Sequence, residues 1–194
     1  TSITVLMGAL LGTVVATLKM SKSRLIRFLI TVYIEVIRGT PILLQLYIFV
    51  FALPSLIPIK LGYFSWVTIA LCINSSAYVS EVIRSGIQAV DKGQTEAARS
   101  LGLTGTTTMI QIVLPQAVKN ILPALGNEFI TIIKETSLAS TFYVGELMTQ
   151  YNKILGKSHN SLAILMIIGI IYFVLNFVLS KLLGILERRM KSHA

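Results

Sequence analysis

From Ser161 to Leu183 the chain holds one charged residue, Lys181, in an otherwise apolar run. At about 1.5 Å per residue a helix of that length covers the ~30 Å hydrocarbon core of a bilayer. Four other stretches share this character in weaker form. Lipid offers no partner to an open backbone N–H or C=O, so such segments are confined to packed α-helices. Composition agrees: 194 residues, 54% hydrophobic, 13% charged, mean hydropathy +0.78. That is a membrane balance, and the length suits one domain covering residues 1–194. The formal net charge of +9 would suggest nucleic acid in a soluble protein. Here Lys and Arg flank apolar spans, which is the positive-inside bias. Cys72 is the only cysteine and lies inside an apolar segment, so it reads as a small buried hydrophobe.

The expected all-α integral membrane fold has about five transmembrane helices. Ile3 to Leu18 is the first, with Gly8 and Gly12 forming a small-xxx-small face. Its 16 residues fall short of a full crossing, and the chain opens on Thr1, so an upstream start is expected. No signal-peptide pattern is visible. Lys19, Lys22, Arg24 and Arg27 come immediately after. Leu25 to Arg38 is amphipathic, with Arg27, Thr31, Glu35 and Arg38 on one stripe. Glu35 and Arg38 at i,i+3 can form an ion pair that fixes a kink. Thr40 and Pro41 read as an N-cap and first-turn proline restarting the helix, and Pro41 to about Leu53 forms the second span. Pro54 to Tyr63 is a loop.

Phe64 to about Ser85 is the third span, with Trp66 placed for a membrane interface and Asn74, Tyr78, Glu81 and Ser85 on one polar stripe. The fourth, Val118 to Leu138, contains Asn127, Glu128, Thr131, Lys134 and Glu135, and Pro115 and Pro123 predict a broken helix there. Thr141 to Asn160 reads as a surface helix, Ser161 to Leu183 as the last span, and residues 187–191 as a basic tail. Of the 17 Lys and Arg, twelve fall on one side of this topology, three on the other and two within spans. That predicts the N-terminus outside and the C-terminus inside.

Charge within a span costs at least ~2.5–3.5 kcal/mol on insertion scales, so such residues usually face a bundle interior or water-filled path. Glu81 and Glu128 suit a cationic group such as an ammonium. Asn74, Tyr78, Asn127 and Thr131 can hydrogen-bond a polar solute, and Lys134 can pair a carboxylate. The structural alternative pairs Glu81 with Arg84 and Glu128 with Lys134. No Gly-rich phosphate loop is present, His159 and His193 suggest no metal site, and no Ser-His-Asp or Cys-His arrangement stands out. A non-enzyme is expected.

The longest polar interval, about residues 91–108, predicts a short helix from Gln94 to Leu101. Gly102 stands where a helix end favours φ > 0, and Thr104 and Thr106 are candidates to cap the next helix. Glu96-Ala97-Ala98, three residues, Gly102, nine residues, then Ile112-x-Leu114-Pro115 resembles the loop by which ABC-importer permeases dock onto their ATP-binding subunit. Residues 33–45, 77–88 and 125–140 resemble the polar amino acid branch of that family. The resemblance implies the type I importer permease fold in a bacterial cytoplasmic membrane, with the helix from Gln94 to Leu101 as a cytoplasmic coupling helix. It also implies a second permease subunit, identical or a sister, and an extracytoplasmic amino acid-binding protein. Two ATP-binding subunits would hold the ATP and Mg, leaving this chain without a cofactor. Transport would proceed by alternating access. The alternatives are a permease for another small polar solute and an ATP-independent secondary carrier.

Overall fold

The computed structural model describes residues 1–158 and 160–192; His159 and His193 lie outside the described residues. Helices α1 (Ser2–Lys19), α2 (Arg24–Gly39), α3 (Ile42–Tyr47), α4 (Leu53–Leu56) and α5 (Tyr63–Gln88) form the first part of the chain. They are followed by α6 (Lys92–Ser100), α7 (Gly105–Thr108), α8 (Leu114–Glu135), α9 (Leu147–Ser158) and α10 (Ser161–Ser192). No strand occurs among the described residues.

α5 is the hub. Its most extensive neighbour is α1, then α8, with α2 and α3 crossing it as well. The seam with α1 is made by Thr4, Gly8, Gly12 and Ala16, spaced by four and all buried. Small side chains bring the two backbones close, and Ser75 and Val79 of α5 fill the space a Cβ would need at Gly8 and Gly12. Tyr33 ties α2 to the same helix, donating at 2.9 Å to the Ile73 carbonyl and lying 2.6 Å from the Ser76 hydroxyl.

Three helices, α1, α5 and Ser161–Met190 of α10, are long and apolar enough to cross a membrane. A fourth candidate is the bent pair Arg24–Gly39 and Ile42–Leu56, which turns through 106°. α8 has the length, but its polar residues, Gln116, Lys119, Asn120, Asn127 and Glu128 among them, leave it less apolar than these.

Both Leu-Pro steps shape these helices in the same way. Proline has no N–H, and its ring clashes with the carbonyl four residues back. The turn before each one widens to a π-helix, Ile48–Ala52 ahead of Pro54 and Met109–Val113 ahead of Pro115. Leu53 accordingly donates to the Ile48 carbonyl and Leu114 to that of Met109, five residues back. Three expectations change. Pro54 lies inside a helical run that reaches Leu56, so the expected loop shortens to about 57–62. α8 passes through Pro123 unbroken, and the irregularity falls at its ends, in the π-turn and the 3-10 turn Thr136–Phe142. Trp66 faces the protein interior: it is 4% exposed in a cluster with Leu46, Val50, Val67, Ala139 and Phe142.

Replacing Gly12 with Leu should open the α1–α5 seam, because the new side chain meets Val79 and, at 3.0 Å, the Ser76 carbonyl. Overpacking of this kind costs about 1–3 kcal/mol. The expected outcome is a lower Tm for the purified complex in detergent. Val14→Leu, at an exposed position of the same helix, should be tolerated and serves as the control.

Candidate functional site

Two regions carry the predicted functional residues. The first is α6 and its exit. Asp91 caps α6 by accepting from the Gly93 N–H at 2.6 Å. Gly102 ends it at φ +83°, with Leu103 N–H on the Ala98 carbonyl and Gly102 N–H on the Arg99 carbonyl. That pair of bonds is a Schellman stop, which a left-handed residue makes possible. Thr104 caps α7 through Thr107, whereas Thr106 lies within its first turn and caps nothing.

Glu96 and Ala97 are exposed on α6, but Ala98 is 5% exposed and faces inward. The two alanines thus divide their work. Ala98 lets α6 sit close on the π-turn Met109–Val113, while Ala97 keeps the outer face low. Leu101, 83% exposed beside Gly102, adds an apolar tip that spacing alone did not single out. Leu114 and Pro115 are the joint where the π-turn becomes α8, anchored by the buried cluster of Val90, Val113, Ala117 and Ile121. Displacing α6 therefore bears directly on the start of α8.

The second region lies around α5, where α1 and α2 pack on it and α8 runs alongside. Glu81, 14% exposed, takes Lys19 at 2.7 Å, Arg84 at 2.7 Å and Arg38 at 3.7 Å. One carboxylate therefore joins α1, α2 and α5. Arg38 also stacks over Tyr78, its guanidinium carbon 5.4 Å from the ring centroid. The expected Glu35–Arg38 pair does not form, because Arg38 turns across to α5, where a less exposed carboxylate and an aromatic face await it.

The kink is held by a different residue. Gln45 donates to the Ile37 carbonyl at 2.7 Å and to the carbonyl and hydroxyl of Thr40, and accepts from Asn74 at 2.9 Å. Pro41 occupies the N-cap of α3, and Thr40 closes α2 with its hydroxyl on the Val36 carbonyl. Thr40 is thus no N-cap. Asn74 is buried on Gln45. The signal for Gln45 was present, since an amide in an apolar span needs a partner.

On α8, Asn127 and Lys134 are exposed and Thr131 and Glu128 are half-buried. Thr131 donates to the Asn127 carbonyl at 3.2 Å. The charges that act on Glu128 are those of Glu135 and Arg38, so the alternative pairing with Lys134 is not made. The spacing of 127, 131 and 134 sets one polar edge along α8.

Residues 8–192 match the family described as the binding-protein-dependent transport system inner membrane component. The chain belongs to that family. As such an inner membrane component it works with an ATP-binding subunit and a substrate-binding protein. It is 40% identical to the arginine transport system permease protein ArtQ of Bacillus subtilis, covering 98% of this chain and 87% of that protein. A putative glutamine transport system permease protein of Rickettsia bellii is also 40% identical, over 97% of this chain and 86% of its own. Among solved structures, an amino acid ABC transporter with histidines superposes with a TM-score of 0.94 at 46% identity, over 96% of this chain and 87% of that one. The MetNI methionine transporter shares the fold, with a TM-score of 0.79 at 15% identity over 97% and 89%. The fold is that of the type I importer permeases.

Glu81→Gln should leave Lys19, Arg38 and Arg84 without their common carboxylate. Charge-assisted bonds of this kind are each worth about 1.5–3 kcal/mol, so a loss on the order of 2–3 kcal/mol is expected from these partly exposed pairs. Thermal unfolding of the purified complex checks it.

Proposed function

We propose that this chain is the transmembrane subunit of an ATP-driven importer that moves polar amino acids across a bacterial cytoplasmic membrane. One observation carries the reading. A self-capped helix with a low outer face, Glu96 to Leu101, rests on a π-turn that runs straight into the helix bearing Asn127, Glu128, Thr131 and Lys134. Closure of the partner ATP-binding subunits, which hold ATP and Mg, would push on α6 and tilt α8. The polar edge of α8 would then be presented first to one side of the membrane and then to the other. Hydrolysis belongs to those partners, and this chain performs no catalysis.

The solute class is supported by the ArtQ and glutamine-permease relatives and by the chemistry of the α8 edge. Glu128 suits an α-ammonium, Lys134 an α-carboxylate, and Asn127, Thr131 and Tyr78 the remaining polar groups. Asn74 and Glu81 are occupied by Gln45 and by three cations, so they serve the path by holding its walls. In our reading the single permease domain spans residues 1–194, with the coupling loop at about 91–108. It crosses the membrane five times, by α1, the run from α3 to α4, α5, α8 and α10, with the N-terminus outside and the C-terminus inside. A second permease subunit would face the α8 edge and complete the path, and an extracytoplasmic binding protein would deliver the solute.

The test is ATPase activity of the complex in liposomes, read with each common amino acid and with and without the cognate binding protein. Stimulation by a few polar or basic amino acids is expected. Stimulation by a different small polar solute alone, or uptake without ATP, would overturn the proposal. Gly102→Val forces a β-branched residue to φ +83°, at a cost of about 1–2 kcal/mol. The displaced α6 should lower stimulated ATPase and uptake by roughly tenfold while the complex still copurifies.

A further inference from the structure

We infer that the cavity between the end of α1, the start of α2 and the end of α5 is a headgroup site for an anionic phospholipid. The cavity has a volume of about 460 Å³ and opens at the end of the bundle that leads into α6. Lys19, Arg24, Arg27 and Arg84 converge on it, and no acidic residue lines it. Lys19 and Arg84 already share Glu81 with Arg38. Arg24 and Arg27 meet no carboxylate among the described residues. Of the four cations that line the cavity, two share one carboxylate and two have none, so the cavity carries an excess of positive charge.

Such an excess calls for an anion with several acceptor oxygens, and a phosphate diester supplies them. Two features select a lipid over a free phosphate. Met20 and Phe28 form part of the cavity wall, giving it an apolar side that a bare inorganic anion cannot use. Beside it, Leu25, Leu29 and Val32 stand exposed on the outward face of α2, where acyl chains can lie. α2 is an amphipathic helix turned by 106° from the run after it, the geometry of a segment lying along a membrane interface. Basic pockets between membrane helices bind lipid headgroups by this combination of charge and acyl contact. Occupancy would also screen the mutual repulsion of Lys19, Arg24, Arg27 and Arg84, and so hold the α1–α2 turn against the end of α5 from which α6 emerges.

The test uses the whole transporter with its ATP-binding subunits, reconstituted in nanodiscs of phosphatidylcholine with a minor fraction of phosphatidylglycerol. Native mass spectrometry of the released complex counts retained lipid. Wild type should keep phosphatidylglycerol in preference to phosphatidylcholine. R24Q/R27Q should lower that retention by roughly fivefold per arginine, and R24K/R27K should preserve most of it. Lys22→Gln, which removes a nearby charge outside the cavity, should leave retention unchanged. Equal retention of the two lipids by wild type would overturn the proposal, whether or not any variant assembles. So would an equal loss in Lys22→Gln and R24Q/R27Q, which would mean a diffuse field and no pocket. Displacement of the lipid by excess inorganic phosphate, with phosphate retained in its place, would assign the site to the free anion and equally overturn the lipid assignment.

Discussion

The α1–α5 seam is the contact on which the rest of this permease depends. In lipid, apolar side chains gain nothing by leaving one apolar neighbour for another, so helices associate through close van der Waals contact and a few polar bonds. Thr4, Gly8, Gly12 and Ala16 give α1 a groove with almost no side chain, and Ser75, Ser76 and Val79 lie in it. Only at that separation does Lys19, at the last turn of α1, reach Glu81 at 2.7 Å. Glu81 then holds Arg38 at the end of α2. The order of the first five helices is thus fixed from a run of small residues outward.

A second constraint is set by proline. Leu53-Pro54 and Leu114-Pro115 each produce a π-turn over the five residues before them, and the two turns fall in different kinds of place. The first lies in the run that rises from the α2 kink. The second sits between the exposed α6 and the long helix α8, where a wider turn provides a seat for Ala98. The same backbone defect that relieves the missing N–H of Pro115 thereby gives α6 a surface to press on. A push at Ala97 or Leu101 meets α8 at its least regular point, where a helix bends most readily.

Much of this was legible in the chain. The small-residue face of α1, the amphipathic α2, the polar interval at 91–108 and the glycine that ends α6 all come from local rules about periodicity and backbone freedom. What escaped were relations between elements. Arg38 could be paired on paper with Glu35 one turn away, because sequence shows neighbours along a helix but not Glu81 and Tyr78 across from it. Trp66 looked interfacial because an indole at the start of a span usually is; the burial that Leu46 and Phe142 provide depends on the 3-10 turn after α8, far along the chain. Thr40-Pro41 announced a break, and Gln45 does the holding, a role visible only once Ile37, Thr40 and Asn74 are seen around it. Pro123 suggested a broken helix by its chemistry, yet the packing of α8 on α5 and α10 carries it through.

The two charged regions behave differently for a physical reason. Glu81 is saturated by cations of its own subunit, so its surroundings are a fixed part of the wall. Glu128 has no such partner among the described residues: Glu135 is the nearby charge of its own sign, and Arg38 is held to Glu81 and Tyr78. A carboxylate half-buried in that position is costly unless a proton or a cation neutralises it. On this chain α8 leaves Asn127 and Lys134 exposed beside it. In the proposed reading, an ammonium-bearing solute in a path lined by α8 would supply that cation. The energetic gap at Glu128 and the mechanical seat under α6 therefore sit at opposite ends of one helix, and moving that helix changes both.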